Sequence, residues 1–385
     1  MTSSPELPCI AFAMRYPDDI GLVWASMSLI HKGVMIELAG VCRAVVCFPV
    51  LTERPAFPTP WAKRVACDWY DTKSPASRAG IRTTVDENRI KAVLYVGCPG
   101  DSVDLRFLRG LGLRTINWEV DSYPTNRKQP LFKWAAKQLL RRWLGIGIHD
   151  MYVANAHHQR RLLLDFARLP PHRVETVVNG VDLTRFTPDA RPDPAALGLP
   201  TTEHYVVSIS QARPEKRIDV LIDAASEIFH LRPGLSLTFV HVGGGKCLDE
   251  WKARAKRLGL GDRYQFTGTR SDVVPYLRLA TIFAHAAEFE SFGFVVAEAM
   301  ACAKPVIAAR SPGPVEIIDS GVTGILVEPG DVPGMVGELL SCIDDPSRRI
   351  RMGNAGRERC ERLYDGRRPS IELARVIRDQ LLKPQ

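Results

Sequence analysis

At 385 residues, with 45% hydrophobic and 24% charged residues, the chain has an ordinary globular composition and enough length for two cores. It carries 51 Lys and Arg against 43 Asp and Glu, and the excess sits in the first half, 25 against 18 over residues 1–190 and 26 against 25 over 191–385. No apolar run approaches the roughly 20 residues of a membrane span, no basic segment precedes the short apolar stretch near the start as in a signal peptide, and the nine cysteines show no CxxC or His–Cys metal spacing, so a reducing, cytoplasmic setting is expected.

In chain order, an apolar run at 9–14 and a turn at 16–21 precede a helix over 23–38 and a strand over 44–50. Residues 51–80, rich in Pro, Trp and charge, read as a loop insertion. A strand at 92–96 leads through Gly97-Cys98-Pro99-Gly100 to a helix at 105–111 and a strand at 114–118. Residues 130–144 form a long amphipathic helical pattern, 151–154 a strand, 157–166 a helix and 174–178 a short strand ending in Asn179-Gly180. Proline and short polar residues at 186–203 signal a linker. Alternation then restarts, with strands at 205–209, 237–242, 264–267, 282–285, 306–308 and 324–327, and helices at 218–229, 248–258, 273–279, 294–301, 314–319, 332–344 and 347–364. This alternation builds parallel sheets covered by helices on both faces. Two such domains in succession place a cleft between their strand C-termini.

The most informative stretch is FAHAAEFESFGFVVAEAM, residues 283–300. A strand end passes through a loop containing Gly293 into a buried helix. Its free N–H groups and positive dipole end point into that loop, which suits phosphate. Glu290 and Glu298 would repel a phosphate, so they are expected to accept hydrogen bonds from hydroxyls, such as those of the sugars flanking a diphosphate. Glu298 lies within apolar text, where a charge should be paired or ligand-bound. Gly243-Gly244-Gly245-Lys246 follows a strand but lacks Walker A spacing, with Cys247 where Ser or Thr would stand, and is no GxGxxG fingerprint either. It reads as a tight turn or as backbone lying close to a nucleotide.

Glu290-Ser291-Phe292-Gly293, with Glu298 eight residues after Glu290, resembles the acidic signature of the large retaining glycosyltransferase family with the GT-B fold (glycosyl transferases group 1, glycosyltransferase family 4). The text around it continues the likeness: Val178-Asn179-Gly180-Val181-Asp182 with Arg185-Phe186, Arg213-Pro214-Glu215-Lys216, Lys304-Pro305-Val306, Gly313-Pro314-Val315-Glu316 and Gly321-Val322-Thr323-Gly324. It covers residues 150–365. The resemblance implies an α/β fold of two Rossmann-like doubly wound domains facing across a cleft. Residues 1–190 would bind the acceptor and 191–368 the nucleotide sugar, and 369–385 would be a helix packing back on the first domain. The implied activity moves a sugar from a nucleotide diphosphate sugar, UDP-sugar favoured over GDP-sugar, to an acceptor hydroxyl with retention. A nucleotide-sugar epimerase on the same fold is the alternative. A basic membrane- or nucleic-acid-binding module would leave the carboxylate pattern unexplained, and no nucleic-acid partner is expected.

By the same resemblance Glu290 lies near the donor sugar, Arg213 and Lys216 neutralise the leaving diphosphate, and Ser291, Phe292, Gly293 and Phe294 surround it, with main-chain N–H groups from Phe292 and Gly293. Glu298 would take the ribose hydroxyls, Gly243 and Gly244 would approach the nucleotide, and Thr269 and Arg270 would face the base, with Glu316 in support. The family's usual Gly-Arg is here Ser210-Gln211, and Arg213 is expected to supply the missing guanidinium. Glu288 and Glu290 form an ExE pair that could suit Mg²⁺, but the resemblance implies that cations and a helix dipole serve without metal or cofactor. In the first domain Gly21, followed by Leu22 rather than a second glycine, could approach the phosphate. Where the family often carries a histidine, this chain reads Asn117-Trp118-Glu119-Val120-Asp121, so Asn117, Glu119 and Asp121 are the acceptor-side candidates, while His157 and His158 read as surface residues. Finally RKQPLFKWAAKQLLRRW, from Arg127 to Trp143, has six cations and no acid. It reads either as a basic interfacial helix that meets an anionic membrane or as a packing helix with a basic outer face.

Overall fold

The computed structural model describes residues 7–15, 22–52, 62–98, 103–120 and 148–382. They divide into two compact units, Met1–Val178 with Gly366–Gln385, and Asn179–Asp365. In the first unit the elements are β1 (Cys9–Ala13), α1 (Leu22–Glu37), β2 (Arg43–Phe48), β3 (Lys63–Ala66), α2 (Pro75–Asn88), β4 (Ile90–Val96), α3 (Leu105–Gly110), β5 (Arg114–Glu119), β6 (Met151–Ala154), α4 (His157–Arg161) and β7 (Val174–Thr176). The strands form one parallel sheet in the order β3-β2-β1-β4-β5-β6-β7. Side chains alternate across it, as a period of two requires. Ile10 and Phe12 join Ile30 and Val34 of α1 in one core, while Cys9, Ala11 and Ala13 join Ile81 and Val85 of α2 in the other. The central strand is therefore apolar along its whole length, as a sheet covered on both faces demands.

The second unit repeats the plan with β8 (His204–Ile209), α5 (Ile218–Leu231), β9 (Leu237–Val242), α6 (Leu248–Arg257), β10 (Tyr264–Gly268), α7 (Val274–Leu279), β11 (Ile282–His285), α8 (Phe294–Ala301), β12 (Val306–Ala309), α9 (Pro312–Ile317), β13 (Ile325–Val327), α10 (Val332–Asp344) and α11 (Pro346–Leu363). Its parallel sheet runs β10-β9-β8-β11-β12-β13. Order reverses at β8, which pairs with β9 on one side and β11 on the other. Loops leaving the carboxyl ends of β8 and β11 therefore start from adjacent strand ends, the place where ligands bind in open α/β sheets. The last helix, α12 (Arg367–Leu382), returns to the first unit. Its Leu373, Val376 and Ile377 are buried with Ile30 and Val34, each contributing about 1.5–3 kcal/mol of apolar burial. The approach is close: a methyl on Gly33 would overlap Ser370 Oγ, whose hydroxyl donates to the Ile30 carbonyl at 3.3 Å.

Two expectations shift. The linker text at 186–203 does not mark the division, which lies at 178/179 and 365/366. Residues 179–189 are tied to the second unit instead: Val181 N–H donates to Tyr364 O at 2.8 Å, Arg357 to Phe186 O at 2.6 Å, and Arg278 pairs with Asp189 at 2.6 Å. Residues 51–80 are not simply a loop, since they contain β3 and the start of α2. β3 is an edge strand with Lys63 and Ala66 exposed, so it lacks the apolar alternation that marks strands in sequence. The start of α2 does carry a sequence signal, Ser74 capping Ser77 N–H at 3.4 Å with Pro75 in the first turn. No helix among the described residues is long and apolar enough to cross a membrane.

Candidate active site

Loops from the ends of β8, β9 and β10 meet over the second sheet. Gly243 N–H donates to Gly268 O at 2.9 Å, Ala212 N–H to Gly244 O at 2.8 Å and Cys247 N–H to Ala212 O at 3.0 Å. The glycines answer to this crowding. A Cβ at 243 would overlap the Ser210 carbonyl, one at 244 would sit 2.5 Å from Thr269 Oγ1, and one at 245 would sit 2.7 Å from Ala212 O. Gly243 and Gly245 also adopt φ of +145°, which side chains rarely reach. Backbone packing thus accounts for Gly243 and Gly245, and the Thr269 side chain for Gly244.

Beside them Pro214 opens a single 3₁₀ turn, Pro214–Lys216, that ends on Arg217 in the left-handed region at φ 48°. This turn is fastened to the loop after β11 at three points. Glu288 N–H donates to Glu215 O at 3.1 Å, Arg217 bridges Glu288 at 3.0 Å, and Lys216 Nζ donates to Glu290 Oε2 at 2.6 Å. Glu290 Oε2 also faces His285 Nε2 at 3.6 Å. Burial pushes the Glu290 carboxyl up, but His285 and then Lys216 outweigh it and hold it at about 2. It is therefore a carboxylate at neutral pH, an acceptor of hydrogen bonds and not a proton donor.

Gly293, at φ +90°, turns the chain into α8. Val296 and Ala297 N–H groups bond back to Gly293 O at 3.0 and 3.1 Å, while the amides of Phe294 and Val295 precede the first intrahelical acceptor. The start is buttressed from α9. Gly313 N–H donates to Glu290 O at 2.9 Å, and a methyl on Gly313 would overlap the Phe292 carbonyl. Phe292 is buried, its ring 5.1 Å from Phe294 and 5.9 Å from Tyr364. Ser291 is half-buried in the same loop. Glu298 lies in the second turn of α8 and is buried, as its apolar neighbours imply.

Arg213 is on the same loop as Lys216, its side chain 55% exposed and 4.0 Å from Glu215. Its N–H bonds to Gln211 O at 2.8 Å, so the two residues share one tight turn. That exposure leaves the guanidinium available to an anion. Arg270 and Thr269 follow β10 and are exposed. Glu316 lends its main-chain oxygen to Tyr364 and Arg359, at 2.9 and 3.2 Å. The carboxylates of the ExE pair are engaged separately, Glu288 by Arg217 and Glu290 by Lys216.

In the first unit Asn117 and Glu119 lie at the end of β5, both buried. Asn117 accepts from Cys98 N–H and donates to Glu119 Oε2, both at 2.9 Å. Both ends of its amide are thus engaged inside the fold, and it orients Glu119. His157 is exposed as expected, whereas His158 is 8% exposed, because α4 turns its second residue onto the sheet. Gly21, Asp121 and the basic stretch 127–143 lie outside the described residues. Sequence reasoning passed over His285 and Arg217. A histidine closing an apolar strand was a visible signal for the first. The bridge from Arg217 to Glu288 reaches chain 71 residues away, which no local pattern announces.

The family model for glycosyl transferases group 1 matches residues 189–359. The chain is 34% identical over 221 residues to a D-inositol 3-phosphate glycosyltransferase of Thermobifida fusca, covering 55% of this chain and 51% of that protein. It is 34% identical over 207 residues to the protein of that name in Rhodococcus erythropolis, covering 52% and 47%. It thus spans about half the length of these curated relatives. Among solved structures, it is similar to sucrose-phosphate synthase of Thermosynechococcus elongatus (TM-score 0.78, 17% identity, 97% of this chain and 98% of that one). It is also similar to HepE of Anabaena in complex with UDP-glucose (TM-score 0.76, 19% identity, 96% and 99%). The fold is GT-B, two parallel-sheet α/β units.

Proposed function

We propose, from the match of residues 189–359 to the family model for glycosyl transferases group 1, that the protein is a retaining glycosyltransferase that moves a sugar from a nucleotide diphosphate sugar to an acceptor hydroxyl. The observation that carries this reading is the convergence of Lys216, Glu290 and the start of α8 at the point where the second sheet reverses its order. The diphosphate would lie against the first-turn amides of α8, with Lys216 and Arg213 stabilising the charge that builds on it as the anomeric bond loosens. Glu290, held ionised, would accept a sugar hydroxyl, and Glu298 would accept the ribose hydroxyls. The leaving phosphate would deprotonate the acceptor on the same face. The cations on hand make a metal unnecessary, and no cofactor is called for.

We favour a UDP-sugar over a GDP-sugar, in line with the UDP-glucose held by HepE of Anabaena. The acceptor is a hydroxyl compound, with Glu119, oriented by Asn117, as the first-unit candidate. The stretch 127–143 would serve peripheral contact with an anionic membrane, which co-sedimentation with anionic and neutral vesicles tests. A thermal-shift screen against UDP-, GDP- and ADP-sugars, followed by NMR of the product's anomeric centre, tests the main reading. Inversion at that carbon would remove retention, and turnover of the donor with no acceptor and no hydrolysis would favour an epimerase.

A further inference from the structure

His285 closes β11 and is 3% exposed, with its ring stacked on Phe283 at 6.5 Å. Its Nε2 has no hydrogen-bond partner within reach, yet it faces Glu290 Oε2 at 3.6 Å, the same oxygen that Lys216 holds at 2.6 Å. We propose that His285 is a positioning residue, whose Nε2–H takes over the Glu290 carboxylate when Lys216 turns to the donor's diphosphate. This rests on the reading of the site as a nucleotide-sugar site.

Lys216 carries a single charge and three N–H donors on a flexible stem. A diphosphate entering beside it competes with Glu290 for that charge. The carboxylate's side chain is only 17% exposed, so water replaces the lost donor poorly. Nε2 is already aimed at it. If Nε2 carried a lone pair, it would oppose the carboxylate lone pairs. Nε2 is therefore assigned a proton. At 3.6 Å the contact is longer than a formed hydrogen bond, and catalytic contacts that are long without ligand tighten in the complex. His285 does not touch the reacting atoms. It fixes the direction in which Glu290 offers its free oxygen to the sugar.

Steady-state kinetics and NMR test this together. His285→Leu keeps the apolar packing and removes the donor, so kcat should fall about tenfold to a hundredfold while KM for the nucleotide sugar stays within about threefold. His285→Gln places an amide NH₂ where Nε2 stood and should recover most of the loss. In a Glu290→Gln background, His285→Leu should change residual turnover by less than about twofold, because the group it positions has changed. Long-range ¹⁵N–¹H spectra of the ¹⁵N-histidine-labelled wild type, assigned with His285→Gln, read the tautomer without turnover, and Nε2–H is expected. An Nδ1–H tautomer, wild-type kinetics in His285→Leu, or a raised KM at unchanged kcat would each overturn the proposal. A wild type that turns over no nucleotide sugar removes the donor reading itself, and the tautomer then still decides whether the Nε2–H contact to Glu290 exists.

Discussion

Lys216 Nζ lies 2.6 Å from Glu290 Oε2, although 74 residues of chain separate the two. They meet because β8 and β11 are neighbours at the reversal of the second sheet, so the loops that follow them leave from adjacent strand ends. Both side chains are mostly buried, at 19% and 17% exposure. Their contact therefore counts for more than a surface pair.

Substitution should separate the roles of the two. Glu290→Gln is expected to lower donor turnover about a hundredfold or more with UDP affinity within about threefold, whereas Lys216→Met should weaken UDP binding by about tenfold to a hundredfold as well. Isothermal titration with UDP beside donor-hydrolysis rates checks both. Wild-type turnover in Glu290→Gln would overturn the site assignment.

The depressed Glu290 carboxyl predicts an acid-side loss of stability. Its folded value of about 2 lies below the ordinary 4.5, so the unfolded chain binds the proton more readily. The stabilisation is fully present above about pH 5 and is lost as pH falls through 4.5 towards 2. Its size is of the order of 3 kcal/mol. Urea unfolding of wild type and Glu290→Gln at pH 6 and pH 3.5 should show the wild type's advantage shrinking by about 1 kcal/mol.

Gly313 is expected to tolerate no side chain. A methyl there would overlap the Phe292 carbonyl, so Gly313→Ala must displace the start of α8 and should cost about 1–3 kcal/mol. If those amides hold a diphosphate, UDP affinity falls with it. Gly337, where an added methyl meets nothing within 4 Å, supplies the control: Gly337→Ala in α10 should be neutral or stabilising by up to about 1 kcal/mol.

Arg217 combines a strained backbone with two ion pairs, to Glu288 and Asp219. Arg217→Gly relieves the left-handed strain while losing the bridges, and Arg217→Ala loses the bridges while keeping the strain. The glycine variant should be the more stable of the two by about 1 kcal/mol. The bridges themselves, to side chains 33% and 48% exposed, are worth under about 1 kcal/mol each. Denaturant midpoints order the three proteins.

Much of the site was legible before any coordinates. Glu290, Gly293 and Glu298 stand at a spacing that places one acid before a helix and one inside it, and the structure puts them in the loop and the second turn of α8. Other readings depended on distant chain. Gly243 to Gly245 could be read as a nucleotide loop or a tight turn, and it took Ser210, Ala212 and Thr269 to show that neighbouring loops leave no room for side chains. Asn117 was one of three acceptor-side candidates, and only the structure shows both ends of its amide engaged, by Cys98 and Glu119. β3 was missed because an edge strand with charged residues has no apolar period to read.

The alternation of strands and helices, the doubly wound class of each unit and the helix start after Gly293 were all readable from the sequence. These rest on local periodicity and on residues adjacent in the chain, which any reading of the text contains. Tertiary structure alone decided which groups surround Glu290. Lys216 and His285 reach it from different strand ends, and their effect on its charge depends on distance and burial, which neither composition nor spacing encodes.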